Sequence, residues 1–329
     1  MYKLTIIIKA LNEEKNIARA IKSAIRALKG YNSEIILVDS LSTDRTIEIA
    51  KKYPVKIIQI TKPQDRSCGV GPQIGFLNSK GDYIYILDGD MELNSIFIGQ
   101  AIKELESDKN LAGVAGIIYE VNVVNAIFRG RKGRLPQNIE HKAYVDKLMM
   151  GGIYKKAAIK KIGYFSNPYL HSYEESDLGY RLTSAGYKLI RIPTNMVKHY
   201  GHISSSTKLL LDRWKSRYLW GCGELLRYHL FKSTFFKVIS ELKIYILTLS
   251  WWICFMISLA LVKLHPIILK TQLLLTFLFL MLFLIKKRNL MDYLFSILSW
   301  HITSLGLLFG FLRKSKPIGQ KIDYVMIKE

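Results

Sequence analysis

Between Ile244 and Leu312 the chain carries three apolar blocks, and no other feature limits its possible folds so sharply. Ile244 to Val262 is 19 residues without a charge, Thr271 to Ile285 is 15, and Tyr293 to Leu312 is 20 without Lys, Arg, Asp or Glu and with one histidine, His301. About 20 apolar residues in a helix span the hydrocarbon of a bilayer. The middle block reaches that length if it starts at Pro266, with the Lys270 ammonium snorkelling to the interface. The blocks read as three spans, with two spans plus a re-entrant or interfacial segment as the alternative. Three spans put Arg313, Lys314 and Lys316 outside when the N-terminal part is inside, against the tendency of Lys and Arg to stay cytosolic.

Ahead of these blocks, Lys208 to Lys243 interleaves Arg, Lys, Trp and Tyr with leucines, the composition of a helix lying in the headgroup layer. The chain is thus expected to divide at 1–205, 206–241 as amphipathic interfacial helices, 242–313 as two or three transmembrane helices, and 314–329 as a tail. Lys plus Arg number 48 against 26 Asp plus Glu, a net charge of +22. Beside a membrane segment this excess suits an anionic leaflet. Nucleic acid is not an expected partner, since no zinc-finger or RNP-type signature occurs. Leu4 to Ile8 is too short for a signal-peptide core, so the N-terminal part is expected in the cytosol at the cytoplasmic membrane. Cys68, Cys222 and Cys254 are far apart and form no CxxC, which fits a reducing compartment and argues against structural zinc.

The first 90 residues alternate apolar runs with helical patterns, the mark of a parallel α/β sheet. Leu4 to Ile8, Ile35 to Val38, Val55 to Ile60 and Tyr83 to Leu87 read as strands. Ile17, Ala20, Ile21, Ala24, Ile25 and Leu28 share one face of a helix over Glu13 to Leu28. Ser42 or Thr43 is expected to cap a second helix running to Lys52. Asp39 and the pair Asp88 and Asp90 then emerge at the same sheet edge. Ligands in open α/β sheets bind beyond the carboxyl ends of the strands, and paired carboxylates hold Mg²⁺ together with substrate phosphates. Asp-Gly after a strand is also a common hairpin turn. Gly69, Gly71 and Gly75 have the wrong spacing and position for a dinucleotide-binding loop, and no GxxxxGK[ST] occurs.

The strings IIIKALNEEKNI, VDSLSTDRT, GDYIYILDGDMEL, GGIYKKAAIKKIGYF and EESDLGYRLTSAGYK, in this order, resemble the family 2 inverting glycosyltransferases over about residues 3–205. The resemblance implies a Rossmann-like GT-A fold, an activated sugar donor carrying a nucleoside diphosphate, and Mn²⁺ or Mg²⁺. It implies that Ala10, Leu11 and Glu13 form the loop around the nucleoside, that Asp39 reads the base, and that Arg66 joins the donor site. Asp88 and Asp90 match the family's DxD pair, Asp90 contacting the metal and Asp88 the ribose or metal. Of His199 and His202, spaced HxxH, one is implied as the third metal ligand, and His199 is taken here. Lys9 stands where the family has proline. Arg213 and Trp214 lack the glutamine of a QxxRW motif, with Leu210 in its place, which disfavours a processive polymer synthase.

Inverting transfer needs a general base and a way to stabilise the departing diphosphate. Glu174, Glu175 and Asp177 crowd three acids into four residues, which raises at least one pKa in a dry site; they also suit an acidic helix start. Glu175 is the expected base, with Asp177 the runner-up and Arg181 paired to the cluster. Gly152, after Gly151, permits close backbone approach to a sugar or simply a turn. The expectation is a membrane-bound glycosyltransferase in cell-surface polysaccharide or glycolipid assembly, acting on a lipid-linked or glycan acceptor. A polyprenyl-phosphate monosaccharide transferase and a catalytically silent membrane scaffold are the alternatives.

Overall fold

The computed structural model describes residues 3–133, 139–287, 289–314 and 316–329. Two compact units emerge, Met1–Ile203 together with Lys314–Glu329, and Ser204–Arg313. The first contains β1 (Leu4–Ala10), α1 (Ile17–Ala27), β2 (Ser33–Asp39), α2 (Thr46–Ala50), β3 (Lys56–Ile60), α3 (Val70–Asn78), β4 (Tyr83–Asp88), β5 (Met91–Leu93), α4 (Ser95–Ser107) and β6 (Leu111–Glu120). It continues with α5 (Ala126–Lys132), β7 (Ala143–Tyr144), β8 (Gly152–Lys155), α6 (Lys156–Lys161), α7 (Glu174–Ser184) and β9 (Lys188–His199). The second holds α8 (Ser206–Lys215), α9 (Gly221–Tyr228), α10 (Phe235–Ala260), α11 (Pro266–Lys287) and α12 (Leu290–Leu312), after which β10 (Tyr324–Lys328) returns to the first.

All strands share one sheet in the order β10-β3-β2-β1-β4-β8-β6-β9-β5, with β7 added on β9. β1 lies between β2 and β4, parallel to both, and is buried along almost its whole length, which is why it reads as an unbroken apolar run. The register aligns Ala10 with Asp39 and Lys9 with Asp88, so three strand ends deliver their polar residues to one edge. Helix α1 buries Ile17, Ala20, Ile21, Ala24 and Ala27 on the sheet, each isoleucine contributing about 1.5–3 kcal/mol. Helix α3 reaches β1 only because of glycine: a Cβ on Gly75 would lie 2.4 Å from Ile7 Cγ2.

The expected elements form, but their ends differ. Helix α1 starts at Ile17 instead of Glu13, because Asn12 takes a left-handed conformation (φ 57°) and the Glu13 N–H donates to Thr46 Oγ1 at 2.7 Å. Ser42 and Thr43 do not cap α2; their N–H groups donate to Asp39 and Asn12, and Asp44 takes the Thr46 N–H instead. The tail is not a separate piece, since β10 pairs antiparallel with β3, setting Tyr324 opposite Ile60 and Met326 opposite Ile58. Lys62 and Asp323 add an ion pair beside it.

Helices α10, α11 and α12 are each long and apolar enough to cross a membrane, which makes this a multi-pass membrane protein. Helix α10 begins at Phe235, within the stretch read as interfacial.

Truncation after Gln320 removes β10 and bares the edge of β3. The unfolding midpoint in detergent, followed by intrinsic fluorescence, is expected to fall by roughly 5 °C or more; an unchanged midpoint would show that β10 contributes nothing to the sheet.

Candidate functional site

The edge formed by β1, β2 and β4 is lined with charges that have specific partners. Lys9 is the one cation in β1, and its Nζ bridges Asp88 Oδ1 at 3.1 Å and Glu174 Oε1 at 2.9 Å. Burial alone would discharge this lysine, but the charges of Asp88 and Glu174 outweigh it and hold the ammonium well above its ordinary pKa. The Asp88 carboxyl is pushed up by burial, with Lys9 opposing and the Asp90 charge adding to the rise. Gly89 sits where a Cβ would come within 2.9 Å of Glu13 Cγ, so the Asp-Gly-Asp turn presses against the loop after β1.

On that loop Ala10 is buried and Leu11 is exposed beyond the strand end. Asp39 is fully buried and accepts from the Ser42 N–H and the Gln59 amide, each at 2.9 Å, which fixes the turn leaving β2. Arg66 donates to the carbonyls of Ser40 and Leu41 at 2.9 and 2.6 Å, pinning the same turn.

A second cluster surrounds Asp90. The β5–β9 ladder sets Met91 opposite His199 and the β6–β9 ladder sets Glu120 beside it. His199 therefore meets Asp90 Oδ2 through Nε2 at 3.0 Å and Glu120 Oε2 through Nδ1 at 2.8 Å. Burial disfavours charge on this imidazole, but the two carboxylates outweigh burial and raise its pKa to about 9. Asp90 is pushed up by burial and pulled further down by His199, ending below the usual carboxylate range. Arg131 Nε closes the chain on Glu120 at 2.6 Å.

Glu13, Asp90 and His202 each offer one ligand atom within 4.8 Å of the others, a potential metal-binding triad. Two carboxylates and an imidazole suit a divalent cation of the Mn²⁺ or Mg²⁺ type. The Glu13 pKa is raised to about 8, by burial first and by the Asp90 charge second. The sequence expectation named Asp88, Asp90 and His199 as ligands, and the triad shares Asp90 with it. Asp88 is paired with Lys9, and the ring nitrogens of His199 face Asp90 and Glu120, with the Arg131 guanidinium 2.8 Å from Nδ1. His202 lies in the irregular segment three residues on.

The acidic helix start lies on the other side of Lys9. A small cavity is lined by Lys9, Ile86, Tyr154, Phe165, Glu174 and Glu175. Glu175 accepts the N–H of Met150 at 2.8 Å and of Gly151 at 2.7 Å, and its pKa is raised to about 7 by burial and then by Glu174. Asp177 is fully buried and pairs with Arg181 at 2.9 Å, whose guanidinium also reaches the carbonyls of Tyr164 and Phe165. The expected pairing of Arg181 with the cluster is present, and it occupies the runner-up base. Gly152 (φ +140°) faces protein: a Cβ there would lie 2.8 Å from Leu148 Cδ1 and 3.0 Å from the Val114 carbonyl.

Sequence reasoning passed over the roles of Lys9, Glu174 and Glu120. A lone lysine in an otherwise apolar buried strand was the available signal, because such a charge must find a partner.

Residues 5–163 match the model of glycosyl transferase family 2. The chain is 33% identical over 114 residues to a dolichol-phosphate mannosyltransferase of Pyrococcus furiosus, covering 33% of this chain and 32% of that one. It is 26% identical over 225 residues to a dolichyl N-acetyl-alpha-D-glucosaminyl phosphate 3-beta-D-2,3-diacetamido-2,3-dideoxy-beta-D-glucuronosyltransferase of Methanococcus voltae, covering 63% of this chain and 69% of that one. Against the former the match spans about a third of the relative's length. The crystal structure of Staphylococcus aureus TarS 1–349 in complex with UDP-GlcNAc superposes with a TM-score of 0.51 at 17% identity, covering 70% of this chain and 74% of that one, a likeness of fold.

Replacing His202 by Ala is expected to weaken Mn²⁺ binding in calorimetry roughly 10- to 100-fold with the fold intact, since its side chain is largely exposed. His199→Ala takes the imidazole from buried Asp90 and leaves Glu120 to Arg131, and is expected to cost about 3–5 kcal/mol of stability as well. Unchanged Mn²⁺ affinity in His202→Ala would remove that residue from the ligand set.

Proposed function

Residues 5–163 place this chain in glycosyl transferase family 2, and from that premise we propose a metal-assisted, inverting transfer of a sugar from a nucleoside-diphosphate donor to a lipid-linked acceptor at the cytosolic face of the cytoplasmic membrane. The observation that carries the proposal is Glu175, a carboxylate held by two backbone N–H groups at a small, partly open cavity and poised at about 7.

In a single displacement the acceptor oxygen bonds to the anomeric carbon on the face opposite the diphosphate. The bond from that carbon to the diphosphate oxygen breaks, and its electron pair leaves with the nucleoside diphosphate. Each Glu175 oxygen spends one acceptor site on a backbone N–H and keeps another for the acceptor's proton. A divalent cation held by Glu13, Asp90 and His202 would supply positive charge for the departing diphosphate. Lys9 keeps Asp88 and Glu174 oriented without a second metal. Glu120, His199 and Arg131 fix the rotamer of Asp90. Asp39 and Arg66 shape the turn that, with Ala10 and Leu11, is suited to the nucleoside. The three apolar helices favour an acceptor carried by lipid, as does the likeness to relatives whose names specify dolichol-linked substrates. The intact charged site speaks against a silent scaffold.

Glu175→Gln keeps size and hydrogen bonding but accepts no proton, so transfer is expected to fall roughly 10²- to 10⁴-fold with donor and metal binding retained. Because the native carboxyl must be ionised, kcat/KM should climb about tenfold per pH unit below neutrality and level off above about 7. Near-normal turnover in the variant would sink the assignment.

Lys9→Met removes a positive charge that lowers the Glu175 pKa, so the acid limb of that profile is expected to move to higher pH. A limb that stays in place would separate Lys9 from the base. The acceptor class is tested by incubating membranes with Mn²⁺ and labelled UDP-, GDP- and dTDP-sugars; label in the lipid extract, read by mass spectrometry, is expected. Label confined to water-soluble glycan would overturn the lipid-linked reading.

A further inference from the structure

Residues 324–328 are hydrogen bonded into the same sheet as residues 4–10, so both ends of the segment 204–313 lead into one folded unit. A segment that leaves and re-enters the same water-soluble unit crosses a bilayer an even number of times. Three apolar helices are present, and therefore one of them does not cross.

Contacts within the helical unit identify which one. Helices α10 and α11 pair as an antiparallel hairpin: Trp251 Nε1 donates to Thr276 Oγ1 at 2.9 Å and Ser258 Oγ to Gln272 Oε1 at 2.7 Å. Extending that pairing sets Phe279 level with Thr248 and Phe283 level with Ile244. Against this scale α12 makes little progress. Tyr293 meets Phe283 at 5.4 Å, Trp300 meets Phe283 at 4.6 Å, His301 meets Trp252 at 5.7 Å, and Ser304 Oγ donates to the Tyr245 carbonyl at 2.9 Å. From Tyr293 to Ser304 the helix rises about 16 Å, yet its first and last contacts, at Phe283 and Tyr245, lie at one level of the hairpin, while Trp300 and His301 between them reach Phe279, Trp251 and Trp252 further along it. Helix α12 therefore runs across the hairpin.

The level it occupies is a boundary. Ile244 and Tyr245 directly follow Lys243, and Phe283 lies just before Lys286 and Lys287, so α12 crosses where the hairpin passes from charged to apolar residues. Beyond Ser304, Gly306 and Gly310 pack on the carbonyls of Leu219 and Trp220 in the turn before α9. The exposed Leu294, Leu298, Leu305 and Leu312 of α12 form one stripe at helical spacing, apolar surface suited to acyl chains.

We propose that the chain crosses the bilayer twice, through α10 and α11, and that α12 lies in the headgroup layer on the side of the sheet, its leucine stripe against the lipid. Lys237, Lys243, Lys286, Lys287, Arg313, Lys314 and Lys316 then share the cytosolic side, and the opposite side keeps Lys263 in the loop between α10 and α11 and Lys270 at the start of α11. This agrees with the distribution of Lys and Arg that three crossings would violate.

The test uses the full chain with Cys68 and Cys254 replaced by serine and one new cysteine at a time: Lys29→Cys marks the sheet unit, Lys263→Cys the first loop, Asn289→Cys the second and Gln320→Cys the tail. An impermeant maleimide is applied to right-side-out and to inverted membrane vesicles. Expected is labelling of Asn289→Cys and Gln320→Cys in the same vesicles as Lys29→Cys, and of Lys263→Cys only in the opposite ones. Gln320→Cys labelling opposite to Lys29→Cys would establish an odd number of crossings and overturn the proposal. Asn289→Cys opposite to Lys29→Cys, or Lys263→Cys on its side, would overturn the assignment of α10 and α11. Should a variant fail to accumulate, green fluorescent protein fused after Glu329 gives the same answer: fluorescent if the tail is cytosolic, dark if it is not.

Discussion

The Lys9 ammonium is the contact on which the site's architecture turns. β1 is buried on both faces, and a charge at its end is tolerable only because two carboxylates reach it from separate parts of the chain, Asp88 on the neighbouring strand and Glu174 at the start of α7. One cation thereby ties the first and fourth strands to the helix that carries Glu175. It also neutralises part of a five-carboxylate neighbourhood, Glu13, Asp88, Asp90, Glu174 and Glu175, that would otherwise repel itself apart. Removing such a cation would leave buried charge uncompensated, which ordinarily costs more than the pair itself contributes.

The two acidic clusters are handled by different physics. Glu174 and Asp88 are satisfied internally by Lys9, whereas Glu13 and Asp90 are left with a partly exposed imidazole that closes a potential ligand set. Two carboxylates and an imidazole make that second set suited to a divalent cation. His199, beside it, is flanked by Asp90 and Glu120.

Much of this was legible in the residues, and the limits have physical causes. Strands announce themselves when both faces are buried, so β1, β2 and β4 and the convergence of Asp39, Asp88 and Asp90 at one edge follow from apolar runs alone. Helix ends were misplaced where side chains competed for backbone N–H groups, as Thr46 does with Glu13 and Asp44 with Thr46. The environment of His199 was beyond pattern reading. It depends on a long-range ladder that brings Glu120 from β6 to the far ring nitrogen, and spacing along the chain carries no trace of that pairing. The docking of β10 on β3 was hidden for the same reason, since more than 260 residues separate the strands.

That last pairing has a consequence for the order of events in synthesis. The strand that covers β3 is made after all three apolar helices, so the sheet keeps an open edge while the membrane segment is being inserted. An uncovered edge strand is a template for wrong partners. The charged rim at Lys56 and Lys62 can discourage such pairing in the interval. Completion of the water-soluble sheet is thereby made conditional on delivery of the helices, and a chain that failed to insert them correctly could not bring its own last strand home.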